Sequence, residues 1–241
     1  MTHLTGPVLA EYQDLFSSTT TQGGPNGGLQ VGATAVVGDG RQFTFVLAGA
    51  TALVPGKLYQ APVETTAWEL ISVAAAAIGA TSVTTTTTIT ATANILAGGY
   101  LIGATTPGQG YIYKITGNTA ASSAVCTIYL EDPIQVALTT GSTVSLVAHP
   151  NSGIIVNPTT ATGAAVGVAI YPVTAAQYGW VQTNGPAAVL AQGTITVGEQ
   201  VAASSTTAGA IVATSGVLAN VGYAMQGITA TDYGPIFLTI G

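Results

Sequence analysis

Short runs of alternating hydrophobic and polar residues recur along most of this chain, and turn-forming residues separate them. In the run YGWVQT, residues 178–183, Trp180 and Gln182 would lie on one face of a strand because side chains alternate with a period of two. The Asn-Gly-Pro sequence at 184–186 predicts a turn, and the apolar residues 187–191 predict the returning strand. The segment is therefore interpreted as one hairpin in a series of short strands.

The same pattern continues through the first half of the chain. Residues 34–37 and 41–47 predict a hairpin around a Gly-Asp-Gly turn, with Phe43 and Phe45 on one face. Residues 65–80 have spacing that fits a helix or a strand, and we favour a strand. From 81 to 147, β-branched residues and frequent glycines are typical of an all-β sandwich or barrel.

These elements predict an all-β protein of two small barrel-like or sandwich-like units with a short N-terminal helix or extended arm. Prolines and small residues after His149 indicate a crossing between the units. The expected division is an arm and linker over 1–30, a first β domain over 31–150 and a second over 151–241.

The N-terminal segment 5–16 predicts a short amphipathic helix, followed by the flexible linker SSTTTQGGPNGG at 17–28. A helix this short is marginal alone, so it must dock on its own domain or on a neighbouring subunit. We expect it to reach a neighbour, and we expect deletion of 1–28 to weaken that contact without unfolding the β domains. One face of the helix would carry Val8, Leu9, Tyr12, Leu15 and Phe16.

Composition sets this chain apart from an ordinary soluble domain. Only 5% of the 241 residues are charged, against roughly 25% in a usual domain, and the net charge is −6. The three cations, Arg41, Lys57 and Lys114, cannot form a basic face, which argues against nucleic-acid binding. Sparse charge indicates either a surface largely covered in an assembly or one solvated by hydroxyls and amides.

Hydrophobic residues make up 48% of the chain and its mean hydropathy is +0.53. The longest apolar run, 70–80, falls well short of the roughly 18 residues that span a bilayer, so we expect no membrane helix and no membrane partner. The N-terminus has no basic segment followed by an apolar core, so we predict no secretion signal.

Titratable side chains that could form an active site are few. The two histidines, His3 and His149, accompany no nucleophile-elbow motif. Glu131 and Asp132 are adjacent and would face opposite sides of a strand. We therefore name no catalytic or cofactor-binding residue, and expect no enzyme and no cofactor.

Other reactive or binding side chains also have ordinary structural interpretations. The single Cys126, set among apolar neighbours, is expected to be a small buried hydrophobe. Tyr111 and Tyr113 would share one face of a strand; such a pair binds sugars in some proteins, although packing is the commoner use. Calcium at Asp39 or at 131–132 stays open, and we name no metal ligand.

Five segments of the chain resemble the capsid decoration (cement) proteins of tailed bacteriophages, most closely those of marine phages. These are residues 38–62, 97–118, 130–138, 178–201 and 221–241. The resemblance is one of pattern and order and covers most of the chain from Gly38 onward. It implies a β-rich structural protein on the outer surface of the virion head, made in the host cytoplasm. Such a protein clamps neighbouring major capsid subunits. Family members differ in oligomeric state, some being trimers at local three-fold axes and others binding singly or as dimers, and we expect this chain to self-associate as a trimer or dimer.

Candidate contacts with the capsid or with another subunit come from two places. The predicted helix would supply Leu9, Tyr12, Leu15 and Phe16, and the strand at 178–183 would supply Trp180 because tryptophan is favoured at interface hot spots. A core tryptophan is the alternative. A tail-fibre or receptor-binding protein should show repeats or heptads, and a surface adhesin should show a secretion signal; we find none of these features.

Overall fold

A computed structural model describes residues 8–9, 15–19, 29–214 and 220–240. Its described elements are almost entirely strands, which confirms the predicted all-β class. The chain divides into two compact units, the first formed by Met1–Val63 with Pro150–Gly241 and the second by Glu64–His149.

Nineteen strands lie in the described ranges, together with a 3-10 turn at Thr66–Trp68. The strands of the first unit are β1 (Val8–Leu9), β2 (Thr34–Val36), β3 (Gln42–Ala48), β4 (Leu58–Gln60), β13 (Ser152–Val156), β14 (Ala165–Ala169), β15 (Tyr178–Leu190), β16 (Gln200–Ala203), β17 (Ile211–Ala213), β18 (Gly222–Ala224) and β19 (Tyr233–Thr239). Those of the second are β5 (Ile71–Ser72), β6 (Ser82–Thr84), β7 (Ile89–Ala91), β8 (Tyr100–Gly103), β9 (Ile112–Asn118), β10 (Ala121–Ala124), β11 (Thr127–Leu130) and β12 (Thr143–Val147).

Five strands of the first unit close into a barrel. β3 pairs in parallel with β13, and β4, β14 and β15 continue the ring in antiparallel pairs until β15 returns to β3. Its buried core includes Val46, Tyr59, Ile154 and Val181. Because the ring joins strands from both ends of the chain, the observed division differs from the predicted one, although both place a boundary near 150.

A second ring in the same unit shares β15. The C-terminal half of β15 pairs with β19, and β18, β16 and β17 follow in antiparallel order. A parallel bridge between Ala191 and Ile211 brings the last strand back to the end of β15. Val189, Ile236 and Leu238 are buried between these strands.

The predicted turn at 184–186 is wrong, because β15 runs without interruption from Tyr178 to Leu190. The Asn-Gly-Pro sequence instead forms an irregularity at which β15 exchanges β3 for β19 as its partner. Gly185 has φ +86°, and a Cβ there would lie 2.9 Å from the Cγ of Arg41. The buried Gln182 donates its amide N–H groups to the carbonyl oxygens of Asn184 and Pro186, at 3.1 and 2.8 Å.

The second unit is also a closed barrel. Its strands follow the order β5-β12-β8-β9-β11-β6, and an antiparallel bridge between Val73 and Thr85 joins the two ends. The strand predicted within 65–80 is therefore present but short. Cys126 is fully buried in this core, as expected, and β7 and β10 form a separate two-stranded pair.

The hairpin predicted at 34–47 is confirmed. β2 and β3 pair in antiparallel register, Ala35 with Phe43 and Val36 with Gln42. Phe43 and Phe45 share a face, as predicted, and both are buried.

We expect Gln182→Leu to destabilise the first unit by about 1–3 kcal/mol, because two carbonyl oxygens at the irregularity would lose their side-chain donor. Denaturant unfolding measures the loss. The matched control is Gln200→Leu, the same change at an exposed strand position, with an expected effect within about 0.5 kcal/mol. Equal effects of the two substitutions would contradict the assigned role of Gln182.

Candidate interaction surfaces

Residues 15–19 of the N-terminal arm pack on the outside of the first barrel. The outward face of β3 presents Phe43 and Phe45, and Trp180 on the neighbouring β15 meets the Phe45 ring edge-on at 5.2 Å. Leu15 covers this aromatic cluster and is only 1% exposed. The arm therefore supplies part of the core of its own chain.

Backbone and side-chain hydrogen bonds hold the described part of the arm in place. Thr19 and Tyr178 exchange two backbone hydrogen bonds, at 3.0 and 2.7 Å. The backbone N–H of Thr174 donates to the Ser18 hydroxyl at 3.1 Å. Phe16 meets the ring of Tyr171 edge-on at 5.7 Å. Residues 15–19 thus dock on their own barrel, where the sequence favoured a neighbour.

The five residues that the sequence predicts as contacts differ in their placement and exposure. Leu15 and Trp180, 1% and 6% exposed, offer a partner almost no surface, whereas Phe16 is 37% exposed. Leu9 belongs to β1, which pairs in parallel with β2. The predicted helix is therefore wrong at residues 8–9, where the edge of β2 provides backbone hydrogen-bond partners for an extended segment. Tyr12 lies outside the described residues.

An exposed apolar face covers three neighbouring strands of the second barrel and the residue before β5. Register aligns Val147, Tyr100 and Lys114 in one row across β12, β8 and β9, and Ser145, Ile102 and Ile112 in the next. Leu70 extends the second row, since its N–H donates to the Ser145 hydroxyl at 3.2 Å. We call this surface the Leu70 face; its exposed apolar members are Leu70, Tyr100, Ile112 and Val147.

Leu70 is held in an uncommon backbone conformation. Its φ of +49° lies in the left-handed region, which costs a non-glycine residue about 1–2 kcal/mol. Despite that strain, its side chain is 62% exposed and contributes little to the core. Sequence reasoning missed this residue because no motif marks a leucine for positive φ.

One ion pair borders the Leu70 face. Lys114 on β9 and Glu131, the residue after β11, form an ion pair at 2.8 Å. Burial lowers the pKa of the nearby His149 imidazole below 6.5, and the Lys114 charge lowers it further. A second ion pair lies in the first unit, where Asp39 and Arg41 pair at 2.8 Å. The Arg41 backbone N–H lowers the pKa of the Asp39 carboxyl.

A second apolar patch lies on the outer face of the second ring. Tyr223 and Phe237 stack with ring centroids 5.1 Å apart and planes 10° apart, directly beside Pro186. Met225 and Tyr233 share this face and are 44% and 54% exposed. We call these residues, together with Pro235, the Tyr223 patch.

The interior of the described chain has no evident ligand site. Among the described residues, no group of three or more His, Cys, Asp or Glu side chains could hold a metal ion. In the same ranges, every buried side-chain nitrogen and oxygen has a hydrogen-bond partner. Tyr111 stacks on Tyr113, whose hydroxyl accepts the Gln135 backbone N–H at 3.1 Å, so this pair has a packing role. The surface therefore offers the better candidates for function.

No described helix is long and apolar enough to cross a membrane. The chain matches no protein-family model, no curated protein and no solved structure.

We expect Leu15→Ala to destabilise the first unit by about 2–5 kcal/mol, because it leaves a cavity over the aromatic cluster. Denaturant unfolding measures this loss. Phe16→Ala is the adjacent control, with an expected cost of about 1 kcal/mol or less since its ring is partly exposed. Unchanged stability of Leu15→Ala would restore the expectation that 1–28 can be deleted without affecting the β domains.

Stability should also fall as the pH drops below about 6.5, because the unfolded state then protonates His149 while the folded state resists protonation. His149→Gln should reduce this pH dependence. His3→Gln controls for changing the histidine content. Thermal midpoints measured across this pH range test the effect, and identical pH profiles for wild type and His149→Gln would contradict it.

Proposed function

We propose that this protein decorates the outside of a tailed-phage head, binding and stabilising its major capsid subunits. The observation that carries the proposal is the character of the surface: exposed large hydrophobic side chains outnumber charged residues in the described chain. Aromatic residues and Met are enriched, and charges depleted, in the cores of protein interfaces. The resemblance of the sequence to capsid decoration proteins supports the same role.

The architecture suits a surface-bound stabiliser. Closed barrels leave few free strand edges, so apolar residues can be displayed with less risk of edge-to-edge aggregation. The Tyr223 patch is the proposed capsid-facing surface, because its stacked aromatic pair, prolines and methionine form an uncharged area. Binding through such a patch depends on buried area and should tolerate salt.

We expect the purified protein to co-sediment stoichiometrically with expanded, undecorated phage heads at both low and high salt. Tyr223→Ser should weaken binding on the order of tenfold, since an interface tyrosine often contributes more than 1.4 kcal/mol. Tyr111→Ser is the matched control, because Tyr111 is similarly exposed, 44% against 41%, and lies in the other unit.

Binding that disappears at high salt would contradict an area-driven contact. Absence of binding to heads, with glycan binding instead, would favour a fibre or surface-adhesion role.

A further inference from the structure

We propose that the Leu70 face is a docking site for a basic amphipathic helix of another protein. The helix would carry apolar side chains along one face and lysine or arginine near both ends. This inference goes beyond capsid binding and does not rest on it.

The Leu70 face is a long and narrow apolar band. Its exposed members lie in two adjacent rows that run across the strands, and two such rows are about 7 Å apart along a strand. From β5 through β12, β8 and β9 to β11, the band crosses four interstrand spacings of about 4.8 Å, or about 19 Å. A contiguous apolar band of this shape fits a single segment of polypeptide.

Exposed carboxylates border the band at both ends. Glu69 directly precedes Leu70 at one end, and Glu131 and Asp132 follow β11 at the other. Lys114 pairs with Glu131 alone, so Glu69 and Asp132 have no ion-pair partner among the described residues. The border is therefore net negative, which favours a partner with cations at both ends and disfavours an acidic one.

The strands beneath the band determine the conformation of that partner. β12, β8 and β9 are each paired on both sides, so an extended segment could not add to the sheet here. Its backbone N–H and C=O groups would lie unpaired against apolar side chains, whereas a helix satisfies its own. A helix that spans about 19 Å has about 13 residues, because each residue adds 1.5 Å.

Leu70 provides the anchor at one end of the band. Its positive φ is held by the hydrogen bond from its N–H to the Ser145 hydroxyl, and its side chain is 62% exposed. Strained residues of this kind cluster at functional sites. The aliphatic stem of a partner lysine can cover Leu70 while its ammonium group reaches the neighbouring Glu69 carboxylate.

A second copy of this chain does not meet these requirements. The described residues contain no α-helix, and the whole chain has only three lysine and arginine residues. The partner is therefore a different protein.

Fluorescence anisotropy with the purified full chain tests the proposal. The probe is a labelled helical peptide of about 13 residues, with leucine on one face, glutamine on the other and lysine at both ends. It should bind saturably, and more weakly as salt screens the exposed charges. A matched peptide with glutamate at both ends should bind about tenfold more weakly or worse, and one with serine in place of leucine should not bind saturably.

Two substitutions locate the binding site. Leu70→Asn should raise the dissociation constant of the lysine-ended peptide about tenfold or more, yet leave the thermal midpoint unchanged or higher, because asparagine tolerates positive φ. Val197→Asn, equally 62% exposed but in the other unit, is its control and should leave binding unchanged. If Leu70→Asn folds poorly, Ile112→Thr provides the same test at a position without positive φ.

Glu69→Gln separates the charge from the apolar contact. It should raise the dissociation constant about threefold and reduce the salt dependence, because one exposed ion pair is lost. Glu199→Gln, the same change at an exposed position of the other unit, should alter neither quantity.

Absence of saturable binding to the wild type would overturn the proposal, as would equal binding of the lysine-ended and glutamate-ended peptides. Binding unaffected by both Leu70→Asn and Glu69→Gln would also overturn it. Tyr223→Ser should leave peptide binding unchanged, and a loss there would place the helix on the Tyr223 patch instead. Head binding is tested through Tyr223 and peptide binding through Leu70, so either proposal can fail while the other stands.

Discussion

The first unit depends on one strand changing partners. β15 closes one barrel with its N-terminal half and a second ring with its C-terminal half, so the backbone must deviate between 182 and 186 without losing buried hydrogen bonds. Gly185 provides the positive φ, and the buried Gln182 amide satisfies two carbonyl oxygens at the deviation. Without Gly185 and the Gln182 amide, β15 could not serve both rings, and one of the two buried cores would lose a strand that covers it.

The strand pattern could be predicted from the sequence, but the closure of the strands could not. The hairpin at 34–47 was accessible because alternation and turn chemistry agree there. At 184–186 the same turn-forming residues led to a wrong prediction of a turn, since Asn-Gly-Pro also suits an irregularity within a strand. Pairing with β19, which begins more than 40 residues later, determines that this segment forms a continuous strand rather than a turn. No local pattern contains that information.

The candidate contacts illustrate a related limit. Leu15 and Trp180 are apolar and were expected at an interface, but β3 is buried on both faces and its outward aromatic residues need cover from the same chain. Nothing in the sequence indicated the exposed Leu70, because tertiary structure imposes its positive φ. The sequence alone identifies apolar residues that could form contacts. Only the fold determines which of them remain exposed to a partner.

A nearly uncharged surface changes how specificity can arise. Long-range steering and charge mismatch, which usually reject wrong partners, are weak when most of the few cations are already paired within the chain. Selection must then depend on shape and on the placement of a few apolar anchors. Closed barrels would suit the proposed capsid contact, because their register fixes the position of exposed residues such as Tyr223. In the proposed contact, the rigid scaffold would replace charge as the source of discrimination between partners.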